Sequence, residues 1–404
     1  MSTTFKKLAG ISSATFFAQF LQFLVFILVA RMLGPFELGI FAVVLVVVNI
    51  TVGIFDFGRT TYFTRELAFG RLSPTNFWNE VIDRVIILTA ILLVVSIALL
   101  FTGNLKWALG CLLVVTQYTF QTVQALAKSN INLKKLALAI IADRFVCLSM
   151  VIGLQFFELG TVSWVVASWA MGQIIGILLL SIRAKIQLYY INLARIRTSL
   201  GFRKSAHLGA QSLSSIVVTL DQVVLGAISG PAQAGIYAAI AKWFTSFAIL
   251  GNSFGTVALN NAANKGKNFS EFWRSEVRIL LVVLISCIAV IVISFFFGRE
   301  IIDFTIGPEF EMSSGLLPIL SASATFALIG QVASASLQYY GLEKMTSRIS
   351  ILSGSAYVLI LAIVLNLISG LGALVLSTSQ LVFQSCLAIS LLFVGVRARR
   401  RGLI

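Results

Sequence analysis

Charge is what this chain has least of. Of its 404 residues, 11% are Asp, Glu, Lys or Arg, while 58% are hydrophobic and the mean hydropathy is +0.98. A soluble domain carries about a quarter of its residues as charges, so the sequence cannot coat a water-facing surface. Histidine occurs once, as His207, and the four cysteines (Cys111, Cys147, Cys287 and Cys386) stand far apart. That spacing excludes a Cys/His metal cluster and gives no reason for a disulfide framework. No Gly-x-x-x-x-Gly-Lys-[Ser/Thr] loop is present, which excludes a phosphate-loop ATPase built into this chain. A large outward loop, which a membrane glycan polymerase would use to carry its acidic and basic residues, is missing as well. The sequence therefore predicts no enzyme, no cofactor and no metal.

Long apolar runs stand in place of charge. Val85–Gly103, Ile279–Gly298 and Ile349–Ile368 contain no charged residue, and about 20 apolar residues cross the ~30 Å hydrocarbon core of a bilayer. The N-terminal run Leu8–Ala30 is longer than the apolar region of a cleavable signal and reads as a retained first span. Twelve spans fit, near 8–30, 38–58, 84–103, 107–127, 139–157, 162–182, 206–228, 234–257, 279–298, 315–340, 349–368 and 371–396. The expected fold is an all-α integral membrane protein of about twelve transmembrane helices.

The net charge of +15 could suggest nucleic acid, but the basic residues are sorted by side. With the N-terminus inside, 26 of the 30 Lys and Arg fall at inner loops or inner helix ends, and only Arg31, Lys106 and Arg299 fall outside, with Lys242 left within a span. Positive inner loops orient membrane proteins, so the charge needs no nucleic-acid partner. Both termini are expected in the cytoplasm, with the chain crossing its membrane many times.

The sequence repeats at about 196 positions. Gly34-Pro35-Phe36-Glu37-Leu38-Gly39-Ile40-Phe41 joins spans 1 and 2, and Gly230-Pro231-Ala232-Gln233-Ala234-Gly235-Ile236-Tyr237 joins spans 7 and 8. Phe5-Lys6-Lys7 answers Phe202-Arg203-Lys204, and Phe57-Gly58 answers Phe254-Gly255. Turn chemistry alone would explain each Gly-Pro, but not two of them at matched places in six-helix blocks. Two lobes, 1–200 and 201–404, follow from this, with the same orientation in the membrane. Between them Ile186–Leu200 reads either as a short helix on the inner membrane surface or as a plain linker.

Polar residues inside the spans form stripes at i+3/i+4 spacing. Span 1 carries Ser12, Thr15, Gln19 and Gln22, and span 7 carries His207, Gln211, Ser214 and Asp221. Span 4 carries Gln121, Gln124 and Lys128, and span 10 carries Gln331, Ser334 and Gln338. Such stripes either glue helices together or line a cavity, and four at symmetric places favour a cavity. Gln19, Gln121, Gln211 and Gln331 are the candidate hydrogen-bonding residues. Arg31, Arg59, Arg65 and Lys242 are candidate cations for an anionic substrate. Asp221, Asp56 and His207 are candidates for ion coupling. Asp221 and Lys242 could instead pair with each other, and Asp143-Arg144 reads as an interface anchor at the start of span 5.

Several segments resemble one family. Ala30-Arg31-Met32-Leu33-Gly34-Pro35 with Gly39-Ile40-Phe41, Asp56-Phe57-Gly58 with Arg65-Glu66-Leu67-Ala68, Leu220-Asp221-Gln222 with Gly235-Ile236-Tyr237, and Gly307-Pro308-Glu309-Phe310 are similar to motifs of the Wzx-type polysaccharide transporters. Gln222 stands where that family often has a basic residue. The resemblance implies the multidrug/oligosaccharidyl-lipid/polysaccharide (MOP) exporter fold, as in MATE transporters, with two six-helix lobes about a cavity. It implies a flippase that moves undecaprenyl-diphosphate-linked oligosaccharide to the outer leaflet for O-antigen, capsule or exopolysaccharide synthesis, by alternating access. Lipid-linked oligosaccharide and the bilayer would then be partners, with a polysaccharide polymerase and a chain-length regulator as candidates. A MATE-like drug/cation antiporter, a peptidoglycan-precursor flippase (a branch with two extra helices) and a membrane glycan polymerase are the alternatives.

Overall fold

The computed structural model describes residues 3–129, 133–182, 206–242, 269–339 and 342–400. Ile186–Leu200, Phe202-Arg203-Lys204 and Phe254-Gly255 lie outside them, as do the side chains of Ser12, Thr15, His207, Gln211, Ser214 and Gln338.

Helices account for nearly every described residue. They are α1 (Thr3–Asp56), α2 (Arg59–Ala68), α3 (Pro74–Phe101), α4 (Leu105–Ser129), α5 (Leu133–Phe156), α6 (Val162–Ser181), α7 (Ala206–Ile228), α8 (231–242), α9 (Phe269–Thr305), α10 (Leu316–Tyr339), α11 (Glu343–Leu367) and α12 (Gly372–Arg400). In α1, Gly34 leaves the helical region (φ 69°, ψ 175°) just before Pro35, so two apolar arms meet at a bend. Proline cannot donate to the preceding turn, and glycine tolerates the left-handed φ that turns the chain. Gly34 thus gives α1 two arms, and α2, at ten residues, is too short to cross. Among the described residues, seven helical stretches are long and apolar enough to cross a membrane, the longest being Phe17–Asp56. The all-α membrane fold expected from hydropathy is the one found.

The chain divides into two compact units. One is Met1–Leu33 with Phe41–Ile216; the other is Gly34–Ile40 with Val217–Ile404. In the first, α5 packs on α6, α6 on α4, α4 on α3, and α2 on α4. Its core beneath α2 gathers Phe63, Phe77, Trp78, Val81, Phe120, Val123 and Leu136. In the second, α10 lies along α12, which also packs on α11, while α9 packs on α10.

Faces turned away from these contacts are apolar. Ile91, Leu93, Val94, Val95 and Ile97 stand exposed on α3, and Leu352, Leu359, Ile360 and Ile363 on α11. In water such faces would aggregate; in lipid they are the solvent-compatible surface.

One expectation about depth is corrected. Asp143-Arg144 does not begin its helix: α5 starts at Leu133, and Asp143 lies buried ten residues further on. Lys134 and Lys135 belong to the helix, and Lys135 Nζ donates to the carbonyls of Leu180 (2.8 Å) and Ile182 (2.6 Å), closing the C-terminus of α6. Arg144 Nε lies 3.4 Å from Asp143 Oδ2, and Gly172 is small enough to let α6 close over the Asp143 backbone.

Candidate functional site

Helix α4 carries two faces of opposite character. Leu113, Val114, Tyr118, Phe120 and Val123 are buried against its neighbours. Gln117, Gln121, Gln124 and Lys128 follow one another at i+3/i+4 on another side, with Gln121 and Lys128 exposed and Gln117 and Gln124 half-buried. Asn49, on the second arm of α1, is exposed as well and accepts a 2.6 Å hydrogen bond from Gln117 Nε2. On the first arm Gln19 and Gln22 are half-buried.

An amide facing hydrocarbon has no partner for its dipoles and is costly. The lipid-type face of α3 carries no amide, and that of α11 carries one only at its end, Asn366, whose Nδ2 donates to the Ala362 carbonyl at 2.8 Å. The α4 face with Asn49 does the opposite, so it is built to meet water or polar ligand. Nearby, Thr116 Oγ1 donates to Gln173 Oε1 at 2.7 Å with both side chains buried, which fixes α4 against α6 below the exposed stripe.

Asn49 and Gln117 were not among the residues singled out from sequence. Gln117 lies one turn before Gln121 on the same stripe and could have been found by extending it. Asn49 is a lone amide in the apolar run Phe41–Ile54, and nothing local gives it away.

The candidate cations differ in surroundings. Arg59 is fully buried: its Nη2 lies 2.6 Å from Glu80 Oε2, and its guanidinium sits 5.3 Å from the ring centres of both Tyr62 and Phe63. Burial lowers its pKa from the ordinary arginine value, helped by Arg84 and opposed by Glu80. Burial, then Glu66 and Glu80, pushes the Tyr62 phenol up. Arg65 is exposed, with Nε donating to Glu66 Oε1 at 3.1 Å. Arg31 is exposed at the end of the first arm, and Lys242 is half-buried on α8.

Asp56 is used locally. Its Oδ1 accepts from the backbone N of Thr60 (2.9 Å) and from Thr60 Oγ1 (2.5 Å), closing the start of α2 after Gly58, whose φ is +73°. The helix N-terminus favours a carboxylate at that place.

In the second unit the buried acid is Asp221 on α7. Its Oδ2 accepts from the Tyr357 hydroxyl at 3.1 Å and its Oδ1 from the Gln222 backbone N at 2.6 Å. Tyr357 stacks on Phe383, with ring centres 4.6 Å apart and planes at 22°. Tyr237, from the second Gly-Pro repeat, donates its hydroxyl to Gln380 Oε1. Gln331 on α10 is half-buried with its Oε1 unpartnered among the described residues. The structure thus gathers Asp221, Tyr357, Tyr237 and Gln380 from α7, α11, α8 and α12; sequence spacing had shown only the first.

Comparison with known proteins agrees with this architecture. A structure of the lipid II flippase MurJ in an inward closed conformation superposes with a TM-score of 0.71 at 16% identity, over 94% of this chain and 86% of that one. An inward-facing multidrug resistance MATE family transporter of the MOP superfamily gives 0.65 at 13% identity, over 100% and 96%. At these identities the likeness is one of fold. A Shigella flexneri protein named for O-antigen transport is 23% identical over 138 residues, 34% of this chain and 33% of its own length. Residues 5–260, more than half of the sequence, match the family described as polysaccharide biosynthesis protein, and the chain belongs to that family.

Proposed function

We propose that the chain is a flippase for undecaprenyl-diphosphate-linked oligosaccharide, working by alternating access in a bacterial inner membrane with both termini cytoplasmic. The observation that carries this reading is the exposed amide face of α4 and Asn49 in a chain whose other exposed helix faces are apolar. Amides offer donors and acceptors to many sugar hydroxyls without requiring one geometry. Family membership and the name of the Shigella relative support the glycan substrate.

In this reading 1–200 and 201–404 are the two repeated lobes. Gln19, Gln121, Gln211 and Gln331, joined by Asn49 and Gln117, bind sugars. Arg31, Arg65 and Lys242 meet the diphosphate, whose charge needs a partner away from bulk water. Arg59, enclosed against Glu80, holds the protein rather than the substrate. Asp221 with Tyr357 is the coupling group, with Asp56 and His207 the lesser candidates. A polymerase and a chain-length regulator receive the product.

The test uses sealed, oriented vesicles from cells with and without the protein, and an impermeant glycan-cleaving enzyme. Without it, the glycan lipid accumulates on the cytoplasmic face, and re-expression restores it to the outer face. Lys242→Ala and Arg65→Ala abolish that recovery at normal abundance, Gln121→Leu weakens it, and Asp221→Asn removes its dependence on an imposed ion gradient. Glycan lipid that reaches the outer face normally in the absence of the protein, yet stays unpolymerised, would overturn the flippase reading.

A further inference from the structure

Three of the five prolines follow a glycine, at Gly34-Pro35, Gly230-Pro231 and Gly307-Pro308. All three glycines have positive φ, at 69°, 88° and 115°. The first two open the repeated Gly-Pro-x-x-x-Gly segments, and both segments lie in the second compact unit, because Gly34–Ile40 packs with Val217–Ile404.

There the two copies meet through equivalent atoms. A Cβ placed on Gly39 would lie 1.7 Å from the Pro231 carbonyl oxygen, and one on Gly235 would lie 1.8 Å from that of Pro35. Each such Cβ would also lie 2.9 Å from the backbone nitrogen of the opposite glycine. The contact is its own mirror, as in an isologous interface: residue 39 meets 231 and 35 meets 235. The obstructing atoms are backbone, so no side-chain rotation could make room for a methyl group.

Leu38 and Ala234, the residues before the two glycines, are buried beside the crossing, at 0% and 1% exposure. Glu309, from the third Gly-Pro segment, brings its Oε2 within 3.1 Å of the place a Gly34 Cβ would take.

Small residues at helix crossings often serve only as packing. Two features set this one apart. It joins the matched members of an internal repeat, and it is backbone against backbone: the three atoms nearest each added Cβ are all main-chain atoms of the other segment. Such contacts are individually weak, and the same atoms can part and meet again without repacking a core.

We propose that the Gly39–Gly235 crossing is a clasp that closes the outer side of the transporter and parts once in each transport cycle. The proposal rests on the flippase reading and on the expected orientation, in which both Gly-Pro segments lie at the outer face. It assigns a purpose to the repeated motif: glycine is required at both places because the closed state brings two backbones into contact, and any Cβ holds them apart.

The experiment places a cysteine at the buried neighbour, Ala234→Cys, in the full-length protein in intact cells. Labelling by an impermeant maleimide is followed at residue 234 by peptide mass spectrometry. In the closed clasp the thiol is covered, and it becomes reachable when the clasp parts. The expected result is measurable labelling from outside, and a rate about fivefold or more faster in Gly39→Ala, the low end of what one overpacked methyl group costs. Gly235→Ala, the mirror substitution, gives the same rise. Both substitutions lower glycan-lipid transport by a comparable factor, because closure is impaired.

An unchanged labelling rate in both alanine variants would overturn the clasp. So would a complete absence of labelling at 234 in a variant that transports normally. If neither alanine variant accumulates, the labelling of Ala234→Cys alone decides whether the crossing parts. The readout needs no glycan, so a failure of the substrate assignment in oriented vesicles is distinguishable from a failure of the clasp.

Discussion

Arg59 is the first residue of α2 and is fully buried there. In the sequence it is a cation at the end of an apolar run, a natural counter-charge for a diphosphate. In the fold it is enclosed by Tyr62 and Phe63 and committed to Glu80 at 2.6 Å. Removing one member of a buried ion pair leaves the other uncompensated, whereas replacing both with apolar groups is much milder. Arg59→Ala should therefore destabilise the protein by about 2–3 kcal/mol, below the range for fully buried pairs because Glu80 keeps 19% exposure. Thermal melting of the purified protein checks this. Arg59→Met combined with Glu80→Leu should recover most of the loss, giving a positive coupling energy in a double-mutant cycle. Arg59→Lys should recover only part, since lysine cannot reproduce the planar fork between carboxylate and rings. Unchanged melting of Arg59→Ala together with lost export would return Arg59 to the substrate site.

At the scale of elements, α2 depends on its first turn. Ten residues make a marginal helix without packing and capping. Phe63 supplies packing, buried against Phe77 with ring centres 5.2 Å apart, and Asp56 supplies the cap through the Thr60 backbone and hydroxyl. Asp56→Ala should cost about 1 kcal/mol, and the loss should be local: amide hydrogen exchange across Arg59–Ala68 should speed up severalfold while α4 and α6 keep their protection. Neighbouring elements differ in what the sequence could disclose of them. The ends of the long apolar runs, the Gly58 break before α2 and the stripe Gln121-Gln124-Lys128 on α4 are local patterns that periodicity resolves. That Asp143 lies deep in α5 is hidden, because Lys134 and Lys135 look like a helix boundary yet lie within the helix, Lys135 donating to the end of α6. Asn49 with Gln117, and Tyr357 with Asp221, are pairs formed across 68 and 136 residues. A 3.6-residue period tells which face a side chain occupies and nothing of the face it meets.

For the whole molecule, the strongest remaining inference is orientation, since it sets the direction of transport and the side on which the Gly39–Gly235 crossing lies. Hydropathy assigns 26 basic residues to the inner side against three to the outer, and placing Arg144 in the depth of α5 leaves 25. Short loops rich in Lys and Arg stay on the cytoplasmic side during insertion, and the inward membrane potential adds about 2.3 kcal/mol per charge per 100 mV against their transfer outward. Two exposed positions between helices report the sides: Asn104, between α3 and α4, and Arg71, between α2 and α3. In intact cells Asn104→Cys should react with an impermeant maleimide, and Arg71→Cys should react only after the membrane is opened. The pattern is independent of substrate, and the native cysteines lie on helices rather than in these loops. The opposite pattern would place the Gly-Pro crossing at the cytoplasmic face, where the same clasp would govern entry of the glycan lipid instead of its release. Labelling of both positions from outside would mean that α3, the helix between them, fails to cross, and the two-lobed reading of the repeat would fall with it.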